Sequence, residues 1–210
     1  MWTNGDKTVP FVQMPSALQQ RLYALAEDQG GYFTTSQVRG AGIDHHAILQ
    51  MRRRGVVERI SRGVYRLVQF PPVPHGQELE ATLWPAGGRY GVRGILSHES
   101  ALRLWELSDA SPPRLHITVP RRYRVRRAVP RYLRIHYTDL ARADVTSYEG
   151  VPITTPRRTV IDCAEAGLAP RLLRQAITDG RRAGRLTRRE ADALLSALRR
   201  RRLASAGAKA

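Results

Sequence analysis

Residues 30–67, GGYFTTSQVRGAGIDHHAILQMRRRGVVERISRGVYRL, are the stretch on which the fold turns. Thr34 is a good N-cap for a short helix that Gly40 or Gly42 ends. Asp44 caps the next helix, His45 to Arg54, closed by Gly55. Upstream, residues 16–29 place Leu18, Leu22, Leu25 and Ala26 on one helical face before Gly30-Gly31 stops them. Downstream, Val56–Ile60 and Val64–Leu67 flank Ser61-Arg62-Gly63, a hairpin signal. Helix, short helix, turn, helix, hairpin is the order of a winged helix-turn-helix, which we assign to residues 1–70.

That order assigns the second half of the helical pair to the major groove. At 100° per residue, Ala47, Ile48 and Met51 cluster on one side of the helix. His46, Leu49, Gln50 and Arg53 lie opposite, with His45 and Arg52 on a flank. Gln pairs with adenine and Arg with guanine in the major groove. Arg62, at the hairpin turn, suits a phosphate or a minor groove. The expected DNA-binding residues are therefore His45, His46, Gln50, Arg52, Arg53 and Arg62. His45 and His46 are not a metal site, because adjacent helical side chains point about 100° apart.

The whole chain favours a polyanionic partner. Its 210 residues carry 35 Lys+Arg against 18 Asp+Glu, a formal charge of +17. The excess is clustered in runs at 121–127, 181–189 and 199–202. One cysteine, Cys163, excludes an intrachain disulfide and a cysteine-rich zinc site. The opening MWTNGDKTVPF has no apolar signal-peptide core, and no apolar run reaches about 18 residues. These features lead us to expect a soluble, cytoplasmic protein with no membrane partner.

Pro71-Pro72-Val73-Pro74 continues neither a helix nor a central strand, so residues 71–75 are read as a linker. Residues 76–203 are expected to form a mixed α+β domain of mostly antiparallel strands covered by helices. The strand candidates are 115–119, 133–137, 145–148 and 151–154, the last two joined by Glu149-Gly150. Ser97 or Ser100 is the expected cap of a helix containing Ala101, Leu104 and Trp105. Thr155-Pro156 opens another helix, Pro170 a third that stops near Gly180, and Thr187 with Glu190 a last one to about Arg202. Residues 204–210 are read as a disordered tail. In this domain Arg121, Arg122, Arg124, Arg126 and Arg127 suit either DNA phosphates or an acidic partner.

Three segments carry a family resemblance. The opening GGYFT with the closing Arg62–Leu67, RGVYRL, resembles the N-terminal domain of AbiEi-like antitoxins. Ser97–Leu102, SHESAL, with Trp105 and Leu107, and Val151–Thr159, VPITTPRRT, with Asp162, are similar to later segments of that family. The resemblance implies an antitoxin that represses its own promoter at inverted repeats in double-stranded DNA. It also implies a neighbouring nucleotidyltransferase-like toxin of the AbiEii type, neutralised through the second domain, with or without direct contact.

The residues themselves point away from catalysis. Ser97, His98 and Glu99 are consecutive and diverge on a helix, so they do not form a triad. Cys163 sits on an apolar face. His116 and His136 lie on strands without an evident third ligand, and there is no glycine-rich phosphate loop. We expect no enzyme, cofactor or metal. The alternative from another class is a basic interaction module that binds an acidic protein and reads no DNA sequence.

Overall fold

The computed structural model describes residues 17–87 and 91–207, with side chains as far as Arg201. The opening stretch read above for a signal peptide lies outside the described residues, as does the end of the tail, 208–210. The protein is α+β, and its buried apolar residues form two clusters.

The first cluster is built by α1 (Ala17–Ala26), β1 (Tyr32–Thr34), α2 (Thr35–Gly40), α3 (His45–Arg53), β2 (Val57–Ser61) and β3 (Val64–Leu67). Leu22, Phe33, Val38, Ile48, Val57 and Leu67 meet in its interior. Burying each such side chain contributes roughly 1.5–3 kcal/mol. The caps form as the sequence requires. The Thr34 side chain accepts from Gln37 N while Gln37 Oε1 accepts from Thr34 N, a reciprocal box. Asp44 Oδ1 accepts from His46 N at 3.0 Å. The three strands pair antiparallel in the order β1-β3-β2. The strand at Tyr32–Thr34 was not expected, because its last residue doubles as the helix cap.

The second cluster adds α4 (Gly76–Leu83), β4 (Ile95–Leu96), α5 (His98–Leu104), β5 (Leu115–Val119), β6 (Leu133–Tyr137), β7 (Val145–Tyr148), β8 (Val151–Thr154), α6 (Pro156–Glu165), α7 (Pro170–Arg182) and α8 (Arg188–Gly207). Five strands run in the order β6-β5-β4-β8-β7. The expectation of mostly antiparallel strands fails here. β4–β5 and β7–β8 are antiparallel, but β5–β6 and β4–β8 are parallel. The physical reason is connection length. The residues between Val119 and Leu133 are enough to carry the chain back along the sheet, which a tight hairpin cannot do.

Three terminators also differ from the sequence reading. α7 passes through Gly180, because that glycine is buried against Leu186 and serves close packing; the helix ends at Arg182, with Ala183 as its C-cap before Gly184 at φ +68°. α8 continues to Gly207, so residues 204–207 are helical rather than a disordered tail, as their alanine content favours. Ser97 is at the N-cap position of α5 but its side chain does not cap. It is drawn sideways, accepting from Thr118 Oγ1 at 2.8 Å and lying 2.9 Å from His98 Nδ1.

Residues 71–75, of which Pro71, Pro72 and Pro74 are exposed, are held at two points. Arg66 donates to the carbonyls of Phe70 and Pro71 at 2.7 and 3.0 Å. Phe70 lies against Gly31 and Val73 against Gly30, two positions where a Cβ would meet those side chains at 2.5 and 2.4 Å.

Candidate nucleic-acid interface

The outward face of α3 is the starting point. Ile48 and Met51 are buried in the first cluster, and Ala47 and Leu49 are half-buried. His45, His46, Gln50, Arg52 and Arg53 are all exposed. The helical period alone produces this division, so the sequence-level face assignment and the structure coincide for these five residues. No side-chain partner engages them among the described residues, which leaves their donors and acceptors available to a ligand.

Arg62 sits at the turn between β2 and β3 with its side chain exposed. Its backbone, however, is held. Gly63 takes φ +83° and its O accepts from Thr35 N at 2.9 Å. A Cβ on Gly63 would lie 2.1 Å from Gly87 O. Ser36 Oγ donates to Ala86 O at 2.8 Å. The hairpin turn and the start of α2 are thus docked on the segment that follows α4.

The basic loop between β5 and β6 is anchored at the same place. Tyr123 donates its hydroxyl to Pro85 O at 3.1 Å. Arg127 lies over the Trp84 ring at 4.0 Å and donates to Arg62 O at 2.6 Å and to Trp84 O. Burial pulls its pKa below the usual arginine value. The sequence grouped Arg127 with the arginines free to meet phosphate or a partner. The structure instead makes it a clasp between loop, hairpin turn and Trp84, with one donor of each terminal nitrogen committed to a backbone carbonyl. No local sequence signal marks this role, since the partners lie 43 and 65 positions away.

The other four loop arginines behave differently. Arg121, Arg122, Arg124 and Arg126 are exposed. Arg124 folds back to donate to the Arg121 and Tyr123 carbonyls at 2.6 and 3.2 Å. The loop is further fixed where Arg121 N donates to Asp139 Oδ1 at 3.0 Å. The side chains of Arg121, Arg122 and Arg126 have no partner among the described residues. The clasp therefore ties the loop that carries these three unpaired cations to the turn that carries Arg62.

A second polar cluster lies under α5. His98, His116 and His136, which sequence separates widely, converge on one face of the sheet. The His98 and His136 rings stack at 3.5 Å and 14°, and His116 lies 5.1 Å from His136. Stacked rings point their nitrogens in parallel rather than toward one centre, which does not suit a shared ion. Among the described residues, no group of three or more His, Cys, Asp or Glu has metal-holding geometry. Burial, the neighbouring rings and then Arg134 and Arg158 lower the His98 pKa to about 3. Burial, then Arg134 and Arg114, lower that of His116 to about 4. Burial, His116 and Arg134 lower that of His136 to about 4. Cys163 is fully buried, and burial raises its thiol well above the ordinary range, so it is not a nucleophile.

Fold and surface together define a basic α+β protein with an open polar helix face and a clasped basic loop. Residues 20–68 are AbiEi-like: they match the family described as "Transcriptional regulator, AbiEi antitoxin". That family is regulatory, one of antitoxins and transcriptional regulators. No curated protein matches the chain. Among solved structures it is similar to one described as the crystal structure of RV2827C protein from Mycobacterium tuberculosis. The identity is 18% and the TM-score 0.48, over 88% of this chain and 72% of that one. Among the described residues no helix is long and apolar enough to cross a membrane.

Proposed function

We propose that this protein is a DNA-binding antitoxin that represses its own promoter, with residues 17–70 acting as a winged helix-turn-helix. The observation that carries the reading is the outward face of α3, polar and unpartnered over a buried apolar face. In this reading Gln50 and Arg53, with His46, read base edges, and His45, Arg52 and Arg62 meet the backbone. Arg121, Arg122 and Arg126 extend the phosphate track, with residues 71–75 as the seam between two units. The unit beyond the seam carries neutralisation of a nucleotidyltransferase-like toxin, and the system works in the cytoplasm.

The test is a mobility shift on the duplex upstream of the protein's own gene, against scrambled duplex at physiological salt. The reading expects a preference of about a thousandfold. Equal weak binding to both would leave only an electrostatically sticky chain, and the basic-scaffold alternative would replace it. Gln50→Ala and Arg53→Ala should each weaken the specific complex by about 1–3 kcal/mol and leave binding to random duplex nearly unchanged. A loss on both duplexes alike would remove those residues from base readout.

Salt gives a second check. With roughly six to ten phosphate contacts, affinity should fall about 10³–10⁵-fold between 50 and 200 mM salt. The triple change R121Q/R122Q/R126Q should make the slope shallower by about 2–3. An unchanged slope would take the loop off the phosphate track while leaving the α3 reading standing.

A further inference from the structure

We propose that the cleft between α6, α7 and α8 is a docking groove for an acidic amphipathic helix of a protein partner. The cleft has a volume of about 520 Å³. Its walls are apolar: Leu168, Leu173, Leu195 and Leu198 line it, and only Leu173 among them is buried. Its rim is cationic: Arg174 and Arg199 are exposed and have no ion-pair partner among the described residues.

The surrounding charge is one-sided. Residues 171–202 hold eleven arginines against Asp179, Glu190 and Asp192. Each of those acids is already engaged: Asp179 with Arg182 at 3.4 Å, Asp192 with Arg188 at 3.9 Å, and Glu190 in the cap at Thr187. Neither Arg174 nor Arg199 is among the arginines that those acids engage. A smaller adjoining cleft of about 190 Å³ shares Ala164, Leu198 and Arg201 with the first, and Glu165 lines the smaller cleft and not the larger.

Charge and apolar surface together select the occupant. A second copy of this chain would bring its own +17 against a cationic rim. A nucleic-acid strand would satisfy the arginines but leave the leucines in water. A helix with apolar residues at i, i+3, i+4 and i+7 and carboxylates on its flanks satisfies both. The groove uses none of the residues assigned to DNA, so this inference stands apart from that reading.

The experiment is fluorescence anisotropy on the full chain with a labelled peptide of about 18 residues. One peptide places leucines on a single helical face and glutamates elsewhere. A permuted peptide of the same composition scatters the leucines. The amphipathic peptide is expected to bind at least about tenfold more tightly than the permuted one. R174E/R199E, at exposed positions and checked for an unchanged melting curve, is expected to weaken it by about tenfold or more. R121E/R122E, an equal charge change elsewhere, is expected to leave it unaltered. Equal binding of the two peptides overturns the proposal, as does equal loss in the two double variants. Full displacement of the peptide by a short duplex of random sequence would assign the rim to nucleic acid and also overturn it.

Discussion

Gly63→Val is expected to lower the stability of the folded chain by more than about 3 kcal/mol. The backbone at Gly63 has φ +83°, where a β-branched side chain is strained in any surroundings. The surroundings are also closed, since a Cβ would lie 2.1 Å from Gly87 O. The obstacle is backbone, and it cannot swing aside. On the other side of the contact, a Cβ on Gly87 would lie 2.8 Å from Arg62 O. The Arg127 clasp and the Ser36–Ala86 hydrogen bond hold the two strands of chain at this approach. Gly184 supplies the comparison, with φ +68° and nothing within 4 Å of a Cβ. Gly184→Ala should cost only the left-handed penalty, about 1–2 kcal/mol. Urea unfolding of both variants reads the difference as a shift in midpoint. Similar losses in the two would mean that the hairpin turn does not rest on Gly87.

Acidification should unfold the protein through its three clustered histidines. His98, His116 and His136 have pKa values lowered to about 3, 4 and 4, so the folded chain holds them neutral. The unfolded chain takes up protons below the ordinary histidine value of about 6.5. The stability they contribute is thus fully present above about pH 6.5 and is lost as pH falls toward 4. Each ring removes up to about 1.4 kcal/mol per pH unit across that window. Asp162 runs the other way. Burial raises its carboxyl to about 6 despite Arg158, so its contribution is present below about pH 4 and lost as pH rises toward 6. Between pH 6 and 4 it offsets about one ring, leaving roughly 3 kcal/mol per pH unit at most.

His98→Asn separates this cause from general acid denaturation. Position 98 has φ +55°, which asparagine tolerates, and the change removes the ring that stacks on His136. Its urea midpoint should fall less steeply with pH than that of the parent chain. A parent midpoint that stays flat from pH 6.5 to 4.5 would show that the rings carry no such load.

Much of the candidate interface was legible because its signals are local. The cap at Asp44 fixes where α3 begins, and the 3.6-residue period then divides Ile48 and Met51 from His46, Gln50 and Arg53. The hairpins at Arg62-Gly63 and Glu149-Gly150 follow from turn chemistry beside β-rich runs. The cap at Thr155 and the box at Thr187 and Glu190 are equally short-range. β1 escaped notice because three residues with no alternation carry too little pattern.

What the sequence by itself determined is a set of helices, turns and faces, together with a net charge of +17. Each helix, turn and face depends on residues within about one helical turn or one hairpin of one another. Tertiary structure alone decided three things: the parallel pairing of β5 with β6, the meeting of three histidines under α5, and the conversion of Arg127 from a free cation into a clasp on Trp84. Each joins groups that lie well beyond one helical turn or one hairpin of each other. Sequence spacing carries no information about such meetings, because they are set by which layers bury their apolar faces against which.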